Sequence, residues 1–199
     1  MKIILASRSP RRREILSALG VQFEIVSADA DESSDEADPA CLVRELALRK
    51  GRATRELLDQ EGQLDRDTLI IAADTVVAVD GTILGKPSDE ADARSMLARL
   101  SGRRHSVTSG IALLTADRET AASEETFVRF ARISDAEIAR YVASGEPMDK
   151  AGAYAVQGLA SLWIEGLEGD YFSVVGLPVH RLNALLEEFL GCSLLDLSR

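Results

Sequence analysis

The sequence has almost no cysteine. Cys41 and Cys192 are the only two in 199 residues, they do not form a CxxC pair, and they are accompanied by just two histidines. A disulfide framework and a structural zinc site are therefore excluded, and the cysteine usage points to a reducing, cytoplasmic location. Long hydrophobic runs are missing as well. No stretch approaches the roughly 20 apolar residues that cross a bilayer, so no membrane role is expected. The short apolar stretch after Met1 runs into Ser9-Pro10-Arg11-Arg12-Arg13 instead of a small-residue cleavage site, and it reads as a strand, not a leader. Positive charge is in deficit. With 23 Lys and Arg against 33 Asp and Glu, the formal net charge is −10, which removes the cation excess that stable nucleic-acid binding needs. An anionic ligand would have to be caught locally. Internal repeats, low-complexity linkers, a P-loop, GxSxG, HExxH and a Rossmann glycine fingerprint are all absent.

What is present suits an ordinary globular chain. Hydrophobic residues make up 46% and charged residues 28%, and the length is enough to bury a core without staples, so one domain over residues 1–199 is the expectation. Residues 2–6 read as a buried strand, after which Ser9 and Pro10 open a helix that stops at Gly20. Residues 21–26 alternate like a strand. The acidic stretch 29–38 reads as a solvated loop, and Asp38-Pro39 starts a long helix ending near Gly62. Residues 68–79 form a long apolar β-type run, and Asp80-Gly81 is a type I′ turn pair leading into a return strand at 82–84. Ser88 is read as the cap of a helix closed by Gly102. Strands are expected at 105–115 and 125–132, a helix with the Ser134/Glu137 capping box ending at Gly145, a strand at 161–165 and a last helix at 178–190. The interleaving predicts an α/β or mixed α+β class with a central twisted mixed sheet flanked by helices. A single domain with a cleft between two lobes would suit this order.

Several residues conflict with their local setting. Arg11, Arg12 and Arg13 occupy the first turn of a helix, where the dipole and free N–H groups favour negative charge. A phosphate bound there would resolve the conflict; solvation, or pairing with the acidic stretch 29–38, is the alternative. Asp74 lies between Leu69-Ile70-Ile71-Ala72-Ala73 and Val76-Val77-Ala78-Val79. A buried carboxylate needs a cation, a metal or several donors, and makes a good general base; a water-facing sheet edge is the other reading. Lys50 falls in phase with Val43, Leu46, Ala53 and Leu57, so it either snorkels or meets an anion. Lys86, in Gly85-Lys86-Pro87, sits in a specific turn, opposite the end of the hairpin where Thr75 lies. The glycine-rich segment 149–158 suits either a close ligand approach or a tight structural loop. His105 and His180 are isolated and read as structural.

Taken together, Ser7-Arg8-Ser9-Pro10-Arg11-Arg12, Ala73-Asp74-Thr75-Val76-Val77, Gly85-Lys86-Pro87, Leu100-Ser101-Gly102-Arg103-Arg104-His105, Gly145-Glu146-Pro147, Gln157-Gly158, Gly169-Asp170-Tyr171-Phe172 and Val175-Gly176-Leu177-Pro178 resemble the Maf family of nucleotide pyrophosphatases over nearly the whole chain. The resemblance implies an elongated fold with a cleft, like that of inosine triphosphate pyrophosphatases, often as a homodimer. It also implies cleavage of a nucleoside triphosphate between its α and β phosphates with a divalent metal, Mg²⁺ first and Mn²⁺ second. Asp74 would be the proton acceptor, and Arg11, Thr75 and Gln157 the specificity positions. Arg12, Lys50 and Lys86 would hold phosphates; Glu32, next to Asp31, would join Asp74 at the metal. Tyr154-Ala155-Val156-Gln157-Gly158 is similar to the group acting on dTTP and UTP. The alternatives are the group acting on 7-methyl-GTP, expected to carry glutamate where Gln157 stands, and a non-catalytic nucleotide-binding regulator of cell division.

Overall fold

The computed structural model describes residues 1–198. The strands are β1 (Lys2–Ala6), β2 (Glu24–Ile25), β3 (Thr68–Val79), β4 (Thr82–Leu84), β5 (Arg104–Leu114), β6 (Glu119–Phe130) and β7 (Ile164–Glu168). The helices are α1 (Pro10–Ala18), α2 (Pro39–Gln60), α3 (Glu90–Leu100), α4 (Asp135–Ala143), α5 (Tyr171–Val175), α6 (Val179–Leu190) and α7 (Leu194–Leu197). The strands form one seven-stranded sheet in the order β2-β1-β3-β5-β6-β7, with β4 paired to β3. It is mixed, as the sequence predicts: β1 runs parallel to β2 and β3, while β3–β4 and β6–β7 are antiparallel. No helix among the described residues is long and apolar enough to cross a membrane.

The chain divides into two compact units, and β3, β5 and β6 each contribute residues to both. The first unit comprises Met1–Asp74, Ser109–Glu124 and the chain from Gly176 onward. In it, Ile4, Ala6, Ile70, Ala72, Ala112 and Leu114 of the strands pack with Ala47 and Leu58 of α2. Two glycines set how closely α2 lies on the sheet. A Cβ on Gly110 of β5 would fall 2.3 Å from the Val43 carbonyl oxygen, and one on Gly51 of α2 would fall 2.2 Å from Leu114 Cδ1. Helix and strand therefore meet backbone to backbone at Gly110, and the Leu114 side chain packs directly on the helix backbone at Gly51. The buried line of α2 is Val43, Ala47, Gly51, Thr54 and Leu58, joined by Leu42 and Leu46. The hydrophobic phase in the sequence put Lys50, Ala53 and Leu57 at the centre of that face; the small residues rotate it by one position, leaving Lys50 at its edge.

The second unit holds Thr75–Thr108 and Glu125–Val175. Asp80 and Gly81 both take positive φ, 50° and 71°, as a type I′ turn requires, and Val79 pairs with Thr82 across it. The core gathers Leu97 and Leu100 of α3, Ile138 and Val142 of α4, and Phe130, Tyr154 and Trp163. The capping box of α4 is present, with Ser134 accepting from the Glu137 amide and Glu137 from the Ser134 amide. The N-cap of α3 is Asp89, not Ser88; Ser88 instead bonds Asp92 through its amide and hydroxyl. β6 starts six residues earlier than expected, and residues 21–26 shrink to two-residue β2 plus a bridge from Val21 to Ser198. α5, α7 and three 3-10 turns between Glu146 and Trp163 were not foreseen.

His105 is buried, with Nε2 2.8 Å from the Tyr154 hydroxyl and its ring edge-on to Phe130. Burial, opposed in part by the Arg103 carbonyl, pushes its pKa down to about 4.

Two outcomes are expected. Gly110→Ala should lower unfolding free energy by about 1–3 kcal/mol, because the Val43 carbonyl belongs to helix backbone and cannot yield; Gly85→Ala, where an added Cβ meets nothing within 4 Å, should be close to neutral. Urea unfolding of the two variants measures this, and equal losses would contradict the close approach. For His105 the unfolded chain takes up a proton below about pH 6.5 while the folded chain waits until about pH 4. Its contribution is complete above pH 6.5 and falls as pH drops to 4, by about 3 kcal/mol at most. His105→Gln should flatten the stability profile across that window, and an unaltered slope would show that His105 does not titrate there.

Candidate active site

Asp74 is the point where β3 stops being wholly apolar. The strand is buried on both faces from Thr68 to Asp74, and Asp74 itself is only 9% exposed. A desolvated carboxylate in such a strand requires a partner, and α2 delivers one. Lys50 Nζ lies 2.5 Å from Asp74 Oδ1 and 2.8 Å from Glu32 Oε1. The Lys50 side chain is 19% exposed and that of Glu32 53%, so the lysine stands between an inner and an outer carboxylate. Snorkelling into water does not describe it. Of the adjacent acids 31 and 32, Glu32 is the one paired with Lys50, while Asp31 folds back to accept from the Ser33 amide and hydroxyl at 2.9 and 2.6 Å.

The three arginines of α1 have three different fates. Arg12 donates to the Ala73 carbonyl at 2.7 Å, the Gly176 carbonyl at 2.8 Å and Ser7 Oγ at 3.2 Å, which ties the end of β1, β3 and the segment leading to α6 around one guanidinium. Burial lowers its pKa; Asp74 opposes this, Arg11 adds to it, and Glu32 opposes it. Arg12 is thus a brace as well as a charge. Arg11 is half-buried and makes no hydrogen bond or ion pair among the described residues, and Arg13 is exposed. The acidic stretch is held by Arg8, bonded to Asp29, and by Arg49. Arg11, Arg12, Glu32, Lys50 and Asp74 all belong to the first unit.

Thr75, Lys86 and Gln157 belong to the second unit. Thr75 follows Asp74 in β3 and is half-buried. Lys86 is exposed in its turn. β4 ends at Leu84, so ladder pairing stops short of the Thr75–Lys86 pair that the hairpin register would reach. The Gly85 carbonyl accepts from the Gly152 amide at 3.0 Å, joining that turn to the glycine-rich segment. Gln157 is exposed on a turn in which the Gly158 amide donates to the Ala155 carbonyl. Just beyond it, the Glu146 carboxylate accepts from the Leu159 amide at 3.0 and 3.2 Å and from the Tyr141 hydroxyl at 3.0 Å. A Cβ on Gly158 would fall 1.9 Å from Glu146 Oε1, so only glycine lets the carboxylate close on the turn. Arg49 was not singled out from the sequence, and Glu146 was quoted there only within the Gly145-Glu146-Pro147 motif, without a role.

The donor set is suited to a hard divalent cation. Glu32 and Asp74 already converge on one cationic centre, the Lys50 ammonium. Mg²⁺ is bound by one or two carboxylates together with substrate phosphates more often than by an all-protein cage. No group of three or more His, Cys, Asp or Glu arranged for a metal occurs among the described residues.

The chain is similar to proteins named dTTP/UTP pyrophosphatase. One from Symbiobacterium thermophilum is 49% identical over 189 residues, 94% of each chain. One from Caldanaerobacter subterraneus subsp. tengcongensis is 47% identical over 193 residues, covering 96% of this chain and 90% of that protein, and one from Bacillus cereus is 44% identical over 189 residues, 94% and 95%. The solved structure of the Staphylococcus aureus Ham1 protein aligns with 66% of this chain and 72% of its own at a TM-score of 0.46 and 17% identity. The family described as Maf-like protein matches residues 2–189, and the chain belongs to it.

Proposed function

We propose that the chain hydrolyses dTTP and UTP to the monophosphate and pyrophosphate, in the cytosol and with a divalent cation. The observation that carries this reading is the Asp74–Lys50–Glu32 cluster, built on the buried Asp74, in a chain 43–49% identical to proteins named for that reaction. Asp74 takes a proton from water as the water oxygen bonds to the α phosphorus. The bond from that phosphorus to the α,β-bridging oxygen breaks, and pyrophosphate leaves with that oxygen. Arg11 has no internal partner to give up, and Lys50 turns from carboxylate to phosphate; with Arg12 and Lys86 they neutralise the triphosphate and the charge that moves onto the leaving group. Glu32 and Asp74 would hold a divalent cation, Mg²⁺ or next Mn²⁺, which would supply further neutralisation of phosphate oxygens.

The specificity positions are Arg11, Thr75 and Gln157. The Gln157 amide offers a donor to a pyrimidine carbonyl and an acceptor to the ring N–H, a pairing that a carboxylate cannot provide.

Asp74→Asn keeps the shape of the strand and leaves Lys50 paired with Glu32. Turnover with UTP should fall about a hundredfold or more while nucleotide still binds. Pyrophosphate and nucleotide products are measured together: near-normal turnover would remove the proton acceptor role, and release of orthophosphate with a diphosphate would place the cut elsewhere.

Gln157→Glu should lower catalytic efficiency for dTTP and UTP by about tenfold to a hundredfold, since one base carbonyl is left facing a carboxylate. The ratio of efficiencies for UTP and 7-methyl-GTP, compared between parent and variant, reads this directly. An unchanged ratio would mean that Gln157 does not contact the base.

A further inference from the structure

The carboxylate of Glu32 sits in a stretch with no regular secondary structure and six acidic side chains, Asp29, Asp31, Glu32, Asp35, Glu36 and Asp38. Such a segment repels itself and has little apolar surface to hold it down. Yet Glu32 meets Lys50 at 2.8 Å. The geometry that achieves this comes from the residue before Lys50. Arg49 Nη1 donates to the Ser33 carbonyl at 2.6 Å and to the Asp31 carbonyl at 3.2 Å, gripping the backbone on both sides of Glu32. Its Nη2 is fixed by Glu45, one helical turn back, at 2.5 Å. The Asp31 side chain closes the same turn onto Ser33. Consecutive residues of α2 thus divide the work: Arg49 takes the backbone of the loop and Lys50 takes the carboxylate at its tip.

We propose that Arg49 is a positioning residue that holds the 31–33 turn so that Glu32 is presented to Lys50 and to the divalent cation. This rests on the reading of Glu32 as a metal-side carboxylate. Arg49 contacts neither substrate nor reacting atoms; it acts through Glu32. A planar guanidinium is required, because three bonds to two carbonyls and a carboxylate leave in a fixed fan that a lysine ammonium does not reproduce. Loss of a group that orients a metal ligand typically costs about tenfold to a hundredfold in metal affinity.

The experiment uses Arg49→Met, Arg49→Lys and Glu45→Gln beside Glu32→Gln. Glu45→Gln is the milder probe, loosening Arg49 while leaving its bonds to the loop available. Two quantities are read: hydrogen exchange of the amides at 31–34 in the ligand-free protein, and the Mg²⁺ concentration giving half-maximal UTP turnover. The expected result is faster exchange confined to that turn in Arg49→Met, with a rise of about tenfold or more in the Mg²⁺ requirement and kcat near the parent value at saturating Mg²⁺. Arg49→Lys and Glu45→Gln should fall between parent and Arg49→Met. If Glu32→Gln shifts the Mg²⁺ requirement but Arg49→Met does not, or if exchange at the turn is unchanged, the positioning role is overturned. If Glu32→Gln itself leaves the Mg²⁺ requirement unchanged, Glu32 is not at the metal, and the proposal falls with that reading.

Discussion

The structure turns on one ammonium group placed between two carboxylates. Asp74 lies in a strand whose residues are otherwise almost all apolar, and a charge in that position is tolerable only when it is paired. Removing one partner of a buried pair costs about 3–5 kcal/mol, a large share of the stability of a chain this size. The pairing in turn dictates how α2 must lie. Lys50 can reach Asp74 because the helix sits hard against β5, and it does so at two residues without side chains, Gly110 under Val43 and Gly51 against Leu114. The packing of the core and the placing of the charged cluster are therefore one feature seen from two sides. A larger residue at either glycine would lift the helix, and the lysine would go with it.

The fold was legible where hydrophobic pattern and punctuation agreed. The long apolar run of β3, the Asp80-Gly81 turn, the Asp38-Pro39 start of α2 and the Ser134/Glu137 box each state their geometry in local chemistry. The reading failed where structure is imposed from outside. The first half of β6, Glu119 to Glu124, is small and polar, and its strand conformation comes from pairing within the sheet, not from propensity. The face of α2 was misjudged by one position because Ala47, Gly51 and Thr54 carry little hydrophobic signal, although smallness is what brings them closest to the sheet.

The site followed the same logic. Asp74 and Lys50 stood out because each broke the rule of its own element, and the structure joins them. Arg11 and Arg12 were marked by the same charge opposed to the helix dipole, and that local signal did not separate them, because the difference lies in acceptors that include the distant Ala73 and Gly176 carbonyls. Arg49 gave no signal of its own, and Glu146 entered only as part of the Gly145-Glu146-Pro147 motif, with no role attached. A charged residue on a helix or beside a turn is ordinary, and what sets these two apart is that their partners are backbone groups brought near by folding. Motifs mark the residues that act. The residues that hold them in place are found only in the contacts.

In the ligand-free chain the cluster is closed on itself, and this bears on how the proposed reaction can begin. Asp74 Oδ1 already accepts from Lys50, so one of the carboxylate's acceptor positions is taken while the lysine stays. Lys50 also holds the outer carboxylate, Glu32. A triphosphate offers the lysine several negative oxygens in place of two carboxylates, and a divalent cation offers the carboxylates a stronger charge in place of the lysine. The two exchanges favour each other, since a lysine released to phosphate leaves the pair of carboxylates uncompensated, and a cation bound there leaves the lysine without a partner. Substrate and metal would then bind with positive coupling, and Asp74 would be released from the lysine when both are present. A chain with an overall charge of −10 gains in addition from keeping Lys50 paired until an anion arrives, because an unpaired Lys50 and an unpaired Asp74, both largely withdrawn from water, would each carry the desolvation cost alone.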